Sequence, residues 1–401
     1  MAKHTIDELR QWQALPLNLK VRMSMERIRM WVREYGEDGV YVSFSGGKDS
    51  TVLSHLVDRT FPGNEIPRVF VNTGLEYPEI VQFVKQEPRA VMLRPKMNFK
   101  KVVEKYGYPF ITKEVSEAVY GARRYLEELT HRQTDRQTDR QTDRQVTFLT
   151  DISSIKSTEL ANMLNDRMKN RKGGQNLRLA RMLGMLTNGH QIRANIPKED
   201  KSAFSCERYS FLLRSDAPTI SNMCCNVMKK SPVHSYSHKS GRMCISGEMA
   251  DESRVRTQKW LQNGCNGFHL NNPKSTPMAF WTEQDVLQYI KENGIQIASV
   301  YGEIVADEQK SENIEGQLQF GENGIEESKC VLKTTGCKRT GCMFCGYGCH
   351  LEKKGEGRFE RMKITHPKIY EWVFKDWENG GLGYKKVIDW LNEHGNLNIR
   401  Y

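Results

Sequence analysis

The sequence predicts an α/β fold: a doubly wound parallel sheet, interrupted by a helical insertion and followed by a C-terminal cysteine-rich metal module plus helices. Three observations predict it. Short β-prone runs alternate with amphipathic helical patterns from about residue 19 to residue 93, and again from Arg242 to Asn293. The first predicted strand, Val40 to Phe44, stops at the glycine turn Ser45-Gly46-Gly47. Four cysteines, Cys337, Cys342, Cys345 and Cys349, crowd into thirteen residues near the C-terminus. The expected organisation is 1–113 for the leading helix and the first half of the α/β domain, then 114–205 for the insertion. Residues 206–329 form the second half, 330–352 the cysteine-rich module and 353–401 the terminal helices.

Residues 19–36 place Val21, Met23, Ile28, Met30, Trp31 and Val32 among arginines and lysines, which reads as a helix leading into the first strand. After the glycine turn, Val52, Leu53, Leu56 and Val57 recur at helical spacing. A second strand spans Arg68–Asn72 and ends at Thr73-Gly74; a helix near Tyr77–Gln86 and a strand at Ala90–Leu93 follow. Gln133-Thr-Asp-Arg136 recurs as Gln137–Arg140 and Gln141–Arg144. Such units hold no apolar residue and cannot bury a core, so they read as an exposed, disordered loop between flanking helices. Beyond them come Arg167, Lys169, Arg171, Lys172, Arg178 and Arg181, a basic face that either meets solvent or contacts nucleic acid. The sheet pattern resumes at Arg242–Ser246, with helices from about Asp251 to Gln262 and over Thr282–Asn293, where Thr282 and Asp285 form a loose capping box. Residues 359–401 read as two packing helices with Ile369, Trp372, Val373, Val387, Ile388, Trp390 and Leu391 inward.

With 401 residues, of which 38% are hydrophobic, the chain can bury a core. Its net charge of +11 favours anionic partners: nucleotides, small anionic or sulfur-bearing substrates, or nucleic acid through the basic insertion. No apolar run is long enough to span a membrane, and Met1–Glu8 lacks the apolar core of a secretion signal, so the expected location is cytoplasmic. Thiols stay reduced there, and clustered cysteines then mean metal or catalysis more often than disulfides.

The turn after the first strand carries the chemistry. Glycines let a ligand approach the backbone, and the next helix offers unpaired N–H groups and a positive dipole end. Ser45, Gly46, Gly47, Lys48, Asp49 and Ser50 therefore form a phosphate cradle, with Thr51 a further hydroxyl donor. The pattern is not G-x-x-x-x-G-K-[ST], because two glycines directly precede Lys48 and no glycine sits five residues before it. Asn72, Thr73 and Gly74 end the second strand at the same predicted sheet edge. Arg254 and Arg256 follow the strand Arg242–Ser246 and can grip an oxyanion in a guanidinium fork.

The four clustered thiols suit one metal centre, tetrahedral zinc or a four-iron cluster. Cys330, His350 and the pair Cys224-Cys225 are further candidates. Lys229 and Lys230 beside that pair would lower a thiol pKa.

Ser45–Ser50 is similar to the PP-loop of ATP pyrophosphatases. Together with Asn72–Gly74, Cys224-Cys225, Gly247–Arg254, Phe280–Asp285, Tyr289-Ile290, Tyr301-Gly302 and Gly336-Cys337, it resembles the phosphoadenosine phosphosulfate (PAPS) reductase family over roughly residues 20–350. The resemblance implies an adenine nucleotide α-hydrolase-like, Rossmann-like fold. It implies ATP on Ser45–Ser50, adenine or ribose near Asn72–Gly74, and the anionic substrate on Arg254 and Arg256. The C-terminal Glu-Cys-Gly-Leu/Ile-His motif of the sulfonucleotide reductases is absent; Gly348–Glu352 echoes it only in part. An intact loop is similar instead to the ATP-splitting branches, including those that place sulfur in nucleic acid with the help of an iron–sulfur cluster. The expected activity is cleavage of ATP at the α-phosphate to adenylate a substrate in sulfur metabolism, with Mg²⁺ helped by Asp49. Two alternatives stand: a phosphoadenylylsulfate or adenylylsulfate reductase with Cys349 or Cys225 as nucleophile, and a nucleotide-sensing nucleic-acid-binding module without turnover.

Overall fold

The computed structural model describes residues 3–136, 158–169, 173–307 and 331–401. Two copies of the Gln-Thr-Asp-Arg repeat lie outside them, as do Arg171, Lys172 and Cys330. The chain divides into two units, one of residues 1–96 with 229–342, the other of residues 97–228 with 343–401.

The first unit opens with helices α1 (Ile6–Gln13) and α2 (Leu17–Tyr35), then alternates β1 (Val40–Ser43), α3 (Lys48–Thr60), β2 (Arg68–Val71), α4 (Pro78–Lys85) and β3 (Ala90–Leu93). A six-stranded sheet results, in the order β3, β2, β1, Met243–Ser246, Lys274–Ser275, Asn266–Gly267. Every neighbouring pair is parallel except the last, which is antiparallel. The expected mostly parallel α/β sheet is therefore present. β1 lies at its centre, with Val42 opposite Arg68 on one side and Ile245 on the other. Chain order reverses on either side of β1, and in such sheets ligands bind outside the carboxyl ends of the strands at that reversal.

The hydrophobic pattern explains the layers. Val40 and Val42 are fully buried, as central strands of parallel sheets are. Val52, Leu53, Leu56 and Val57 on α3 and Ile28 and Trp31 on α2 are fully buried too, joined by Phe280 and Trp281. Thr282 caps the helix Glu283–Glu292 with the reciprocal Asp285 bond that the sequence predicts. Asp285 has a second duty: its carboxylate meets the Lys20 ammonium at 2.7 Å, and Lys20 is only 2% exposed. The Lys20 ammonium also donates to the Gln13 carbonyl at 2.6 Å. At the other end of β1's neighbour, fully buried Arg68 donates to Ser54, Asn64 and Asp58 and ties β2 to α3.

The second unit is mainly helical. Its helices include Phe99–Tyr106, Lys113–Arg136, Thr158–Lys169 and Gly173–Met182, and Phe110–Ile111 pairs in parallel with Gly346–Tyr347. Three terminal helices, not two, follow: Arg358–Thr365, Pro367–Phe374 and Tyr384–Gly395. Pro367 causes the extra break, because it donates no N–H to a preceding helix and suits a first turn. Trp372 is 38% exposed rather than inward, leaning edge-on against Phe344. Among the described residues no helix is long and apolar enough to cross a membrane.

Asp285→Ala should cost roughly 3–5 kcal/mol in urea unfolding, since it strands the Lys20 ammonium in the core. A loss below 1 kcal/mol, typical of surface ion pairs, would show that Lys20 finds another partner.

Candidate active site

The loop after β1 is braced by its own hydroxyls. Ser50 Oγ accepts the Ser45 N–H at 3.1 Å and donates to the Gly47 carbonyl at 2.9 Å, which also takes the Thr51 hydroxyl at 3.0 Å. Gly46 has φ of +69°, and a Cβ there would lie 2.7 Å from Val84 and 2.9 Å from Ile80 on α4. Only glycine satisfies both the backbone angle and this approach. The first three amides of α3 have no helical acceptor. The Lys48 amide donates to Tyr301 Oη at 3.1 Å, whereas those of Asp49 and Ser50 have no acceptor among the described residues.

Lys48 does not wave in solvent. Its side chain is 4% exposed, and its ammonium sits 3.1 Å from Glu283, 3.1 Å from the Lys338 carbonyl and 3.7 Å from Asp49 Oδ1. Asp49 Oδ1 is buried without a hydrogen-bond partner, although the side chain as a whole is 30% exposed. Burial lifts the Asp49 carboxyl above its usual range; Lys48 opposes that, Glu283 adds to it, and Arg339 and Arg256 oppose it. Arg256 thus reaches the loop's field while paired with Glu252. Arg254, which opens the same helix, is exposed.

At the end of β2, Glu76 organises the loop. Its carboxylate accepts both the amide and the hydroxyl of Thr73 at 2.9 Å, and Lys229 stands 3.4 Å from it. Asn72 Oδ1 accepts the Gly74 amide at 3.1 Å, with Gly74 at φ +77°. At the end of Met243–Ser246, Glu248 meets the Lys274 ammonium at 2.6 Å. Burial works against the Glu248 charge, yet Lys274 holds the carboxylate below its usual range. The predicted residues Ser45–Ser50 and Asn72–Gly74 therefore follow the ends of neighbouring strands of one sheet, and Arg256, on the helix Arg254–Asn263, bears on the loop through its charge. Tyr301, Thr340, Glu283, Glu76 and the Glu248–Lys274 pair carry no local sequence pattern that marks them as site residues. Tyr301-Gly302 and Phe280–Asp285 show only as pieces of the family resemblance, with no sign that they meet the loop.

The thiols distribute over both units: Cys337 and Cys342 belong to the first, Cys224, Cys225, Cys345 and Cys349 to the second. Among the described residues no three His, Cys, Asp or Glu side chains are grouped to hold a metal ion. Within the second unit, three of the thiols act on the charge of Tyr347. Its phenol donates to the Ser221 carbonyl at 2.9 Å; burial raises its pKa, and the thiols of Cys225, Cys345 and Cys224 raise it further. Cys224-Cys225 leads into a π-helical turn, Asn226–Lys230, a departure from regular helix that recurs at functional sites. Cys349 differs: its thiol donates to the Gly346 carbonyl at 2.9 Å, and burial pushes it up to about 12. Burial and this bond both favour the protonated thiol. His350 lies 3.4 Å from the Tyr209 hydroxyl.

A family model described as the phosphoadenosine phosphosulfate reductase domain matches residues 39–166 and 178–347. The chain belongs to this family. The match spans Ser45–Ser50, Asn72–Gly74, Cys224-Cys225 and Tyr301. Membership in the PAPS reductase family points to a nucleotide-binding enzyme related to sulfur metabolism. A search of curated proteins finds no match.

Two outcomes follow for this PAPS reductase family chain. Gly46→Ala should abolish measurable ATP binding by calorimetry, because Val84, Ile80 and the positive φ all resist a Cβ; unchanged binding would place the ligand elsewhere. Because the Asp49 pKa is raised on folding, the folded state holds an extra proton between the ordinary and the raised value, and stability falls as pH rises through that window. Asp49→Asn should therefore raise the melting temperature at neutral pH and remove that slope; an unchanged or lower value would contradict it.

Proposed function

We propose that the chain binds ATP at Ser45–Ser50 and cleaves it at the α-phosphate, adenylating a substrate in sulfur transfer. One observation carries this reading: a buried lysine, two open helix-start amides and a left-handed glycine converge on one loop at the sheet's reversal point. A substrate oxygen would attack the α-phosphorus while the bond to the bridging oxygen breaks, and pyrophosphate leaves with that electron pair. The Lys48 ammonium and the open amides of Asp49 and Ser50 would stabilise the charge gathering on that leaving group. Asn72 and Gly74 offer polar groups for adenine or ribose, and Arg256 with Arg254 suits an anionic substrate.

Charge balance supports Mg²⁺. Lys48, Arg256 and Arg339 are offset by Asp49, Glu252 and Glu283, so the pocket holds little excess positive charge for a triphosphate. Asp49, whose Oδ1 accepts no hydrogen bond among the described residues, would hold the ion, which supplies charge neutralisation when bound. The thiols Cys224, Cys225 and Cys345 around Tyr347 suit an iron–sulfur cluster, or zinc, better than Cys349 does. As placed they do not form a finished site, so no step is routed through a metal. The basic helices of residues 158–182 would meet a nucleic-acid acceptor.

Anaerobically purified protein with Mg·ATP should release pyrophosphate and AMP-containing product when given a sulfur-accepting substrate pool. Lys48→Ala should lower that release by 10²-fold or more, as losing one transition-state donor does. Sulfite release from a sulfonucleotide without ATP would favour the reductase alternative and overturn this one. Metal analysis provides a second check: Cys345→Ser should lose bound iron or zinc, whereas Cys349→Ser should retain it. The opposite pattern would return Cys349 to the ligand set.

A further inference from the structure

Tyr301 lies 253 residues beyond Lys48 in the chain, yet its phenol oxygen accepts the Lys48 amide. It is 2% exposed and shares a 2.5 Å hydrogen bond with Thr340 Oγ1. The same turn holds the segment that carries Thr340. The Gly336 amide donates to the Tyr301 carbonyl at 2.8 Å and the Cys337 amide to Val300 at 2.9 Å. A Cβ on Gly336 would lie 2.3 Å from the Val300 oxygen, so this closeness is built in. Gly47 faces the pair directly: a Cβ there would stand 3.1 Å from Tyr301 Oη and 3.3 Å from Thr340 Oγ1. Finally, the Lys338 carbonyl takes one of the Lys48 ammonium protons at 3.1 Å.

We infer that Tyr301 and Thr340 are positioning residues of the phosphate loop, and that through them phosphate occupancy is relayed to the Cys337–Cys342 segment. The inference rests on the reading that the loop binds the phosphates of ATP. An ammonium has three protons to give. In this structure Glu283, Asp49 and a neutral peptide carbonyl face them. A charged phosphate oxygen is the stronger acceptor, and the neutral carbonyl is the partner most readily given up. Losing it removes one tether between Lys338 and the loop, while the Tyr301–Thr340 pair keeps the Lys48 amide oriented. Cys337 and Cys342 flank the released residues, so the ends of this segment register whether phosphate is bound.

Hydrogen exchange of the full-length protein tests this at the Gly336 and Cys337 amides, with pyrophosphate as the probe and calorimetry as an independent measure of binding. Saturating pyrophosphate should speed exchange there by about threefold or more, as loss of a local tether does. Tyr301→Phe and Thr340→Val should speed it without ligand, with unchanged circular dichroism, and Thr340→Ser should restore the wild-type rate. Should pyrophosphate bind while exchange stays the same, the relay is wrong and the ATP reading survives. Should pyrophosphate and ATP both fail to bind, the ATP reading falls, and the relay falls with it. Wild-type exchange in both Tyr301→Phe and Thr340→Val would overturn the positioning role in either case.

Discussion

The Lys48 ammonium is the point on which the first unit turns. A charge this deeply buried costs several kcal/mol unless it is paired and hydrogen-bonded. Besides Asp49 next to it, its partners come from two distant stretches: Glu283 at the start of a later helix and the Lys338 backbone. Both distant stretches must be in place before the lysine can be. The loop that reads as a local motif is therefore completed by tertiary structure.

That completion is possible because β1 is central. Strands on both sides bring their carboxyl-terminal loops to the same edge: Asn72–Gly74 from β2, Gly247 and Glu248 from Met243–Ser246. Gly247 sits so close that a Cβ would lie 3.0 Å from the Asp49 carbonyl. Fully buried Arg68 and the Lys20–Asp285 pair hold the framework with polar contacts in places where aliphatic packing alone would leave register less defined. The helix that Asp285 caps also presents Glu283 to Lys48, so core stability and site electrostatics share one element.

Much of this was legible in the sequence. The strand, glycine turn and helix of Val40–Val57 follow from β-propensity, Gly46 and the 3.6-residue period, and the Thr282 cap from its Asp285 partner. What stayed hidden was long-range. No local pattern tells Tyr301 that it meets Lys48, or Glu76 that it will bind Thr73. Cysteine spacing marks Cys337, Cys342, Cys345 and Cys349 as candidates for one set, but spacing alone does not say what each thiol touches: the Cys349 thiol meets the Gly346 carbonyl. Trp372 shows the same limit: helical periodicity put it inward, but the restart at Pro367 rotated that phase.

Ile111 has φ of +69°, a left-handed angle that a β-branched residue tolerates badly. The cost is about 1–3 kcal/mol, and full burial of its side chain returns about 1.5–3 kcal/mol. The two are of similar size, so Ile111 itself adds little net stability to the ribbon of Phe110–Ile111 and Gly346–Tyr347. Glycine would relax the backbone and surrender the hydrocarbon, leaving the ribbon no more stable. What fastens it is hydrogen bonding to its main chain: the Gly348 amide donates to the Ile111 carbonyl at 2.6 Å, and the Ser116 hydroxyl to the Phe110 carbonyl at 2.6 Å.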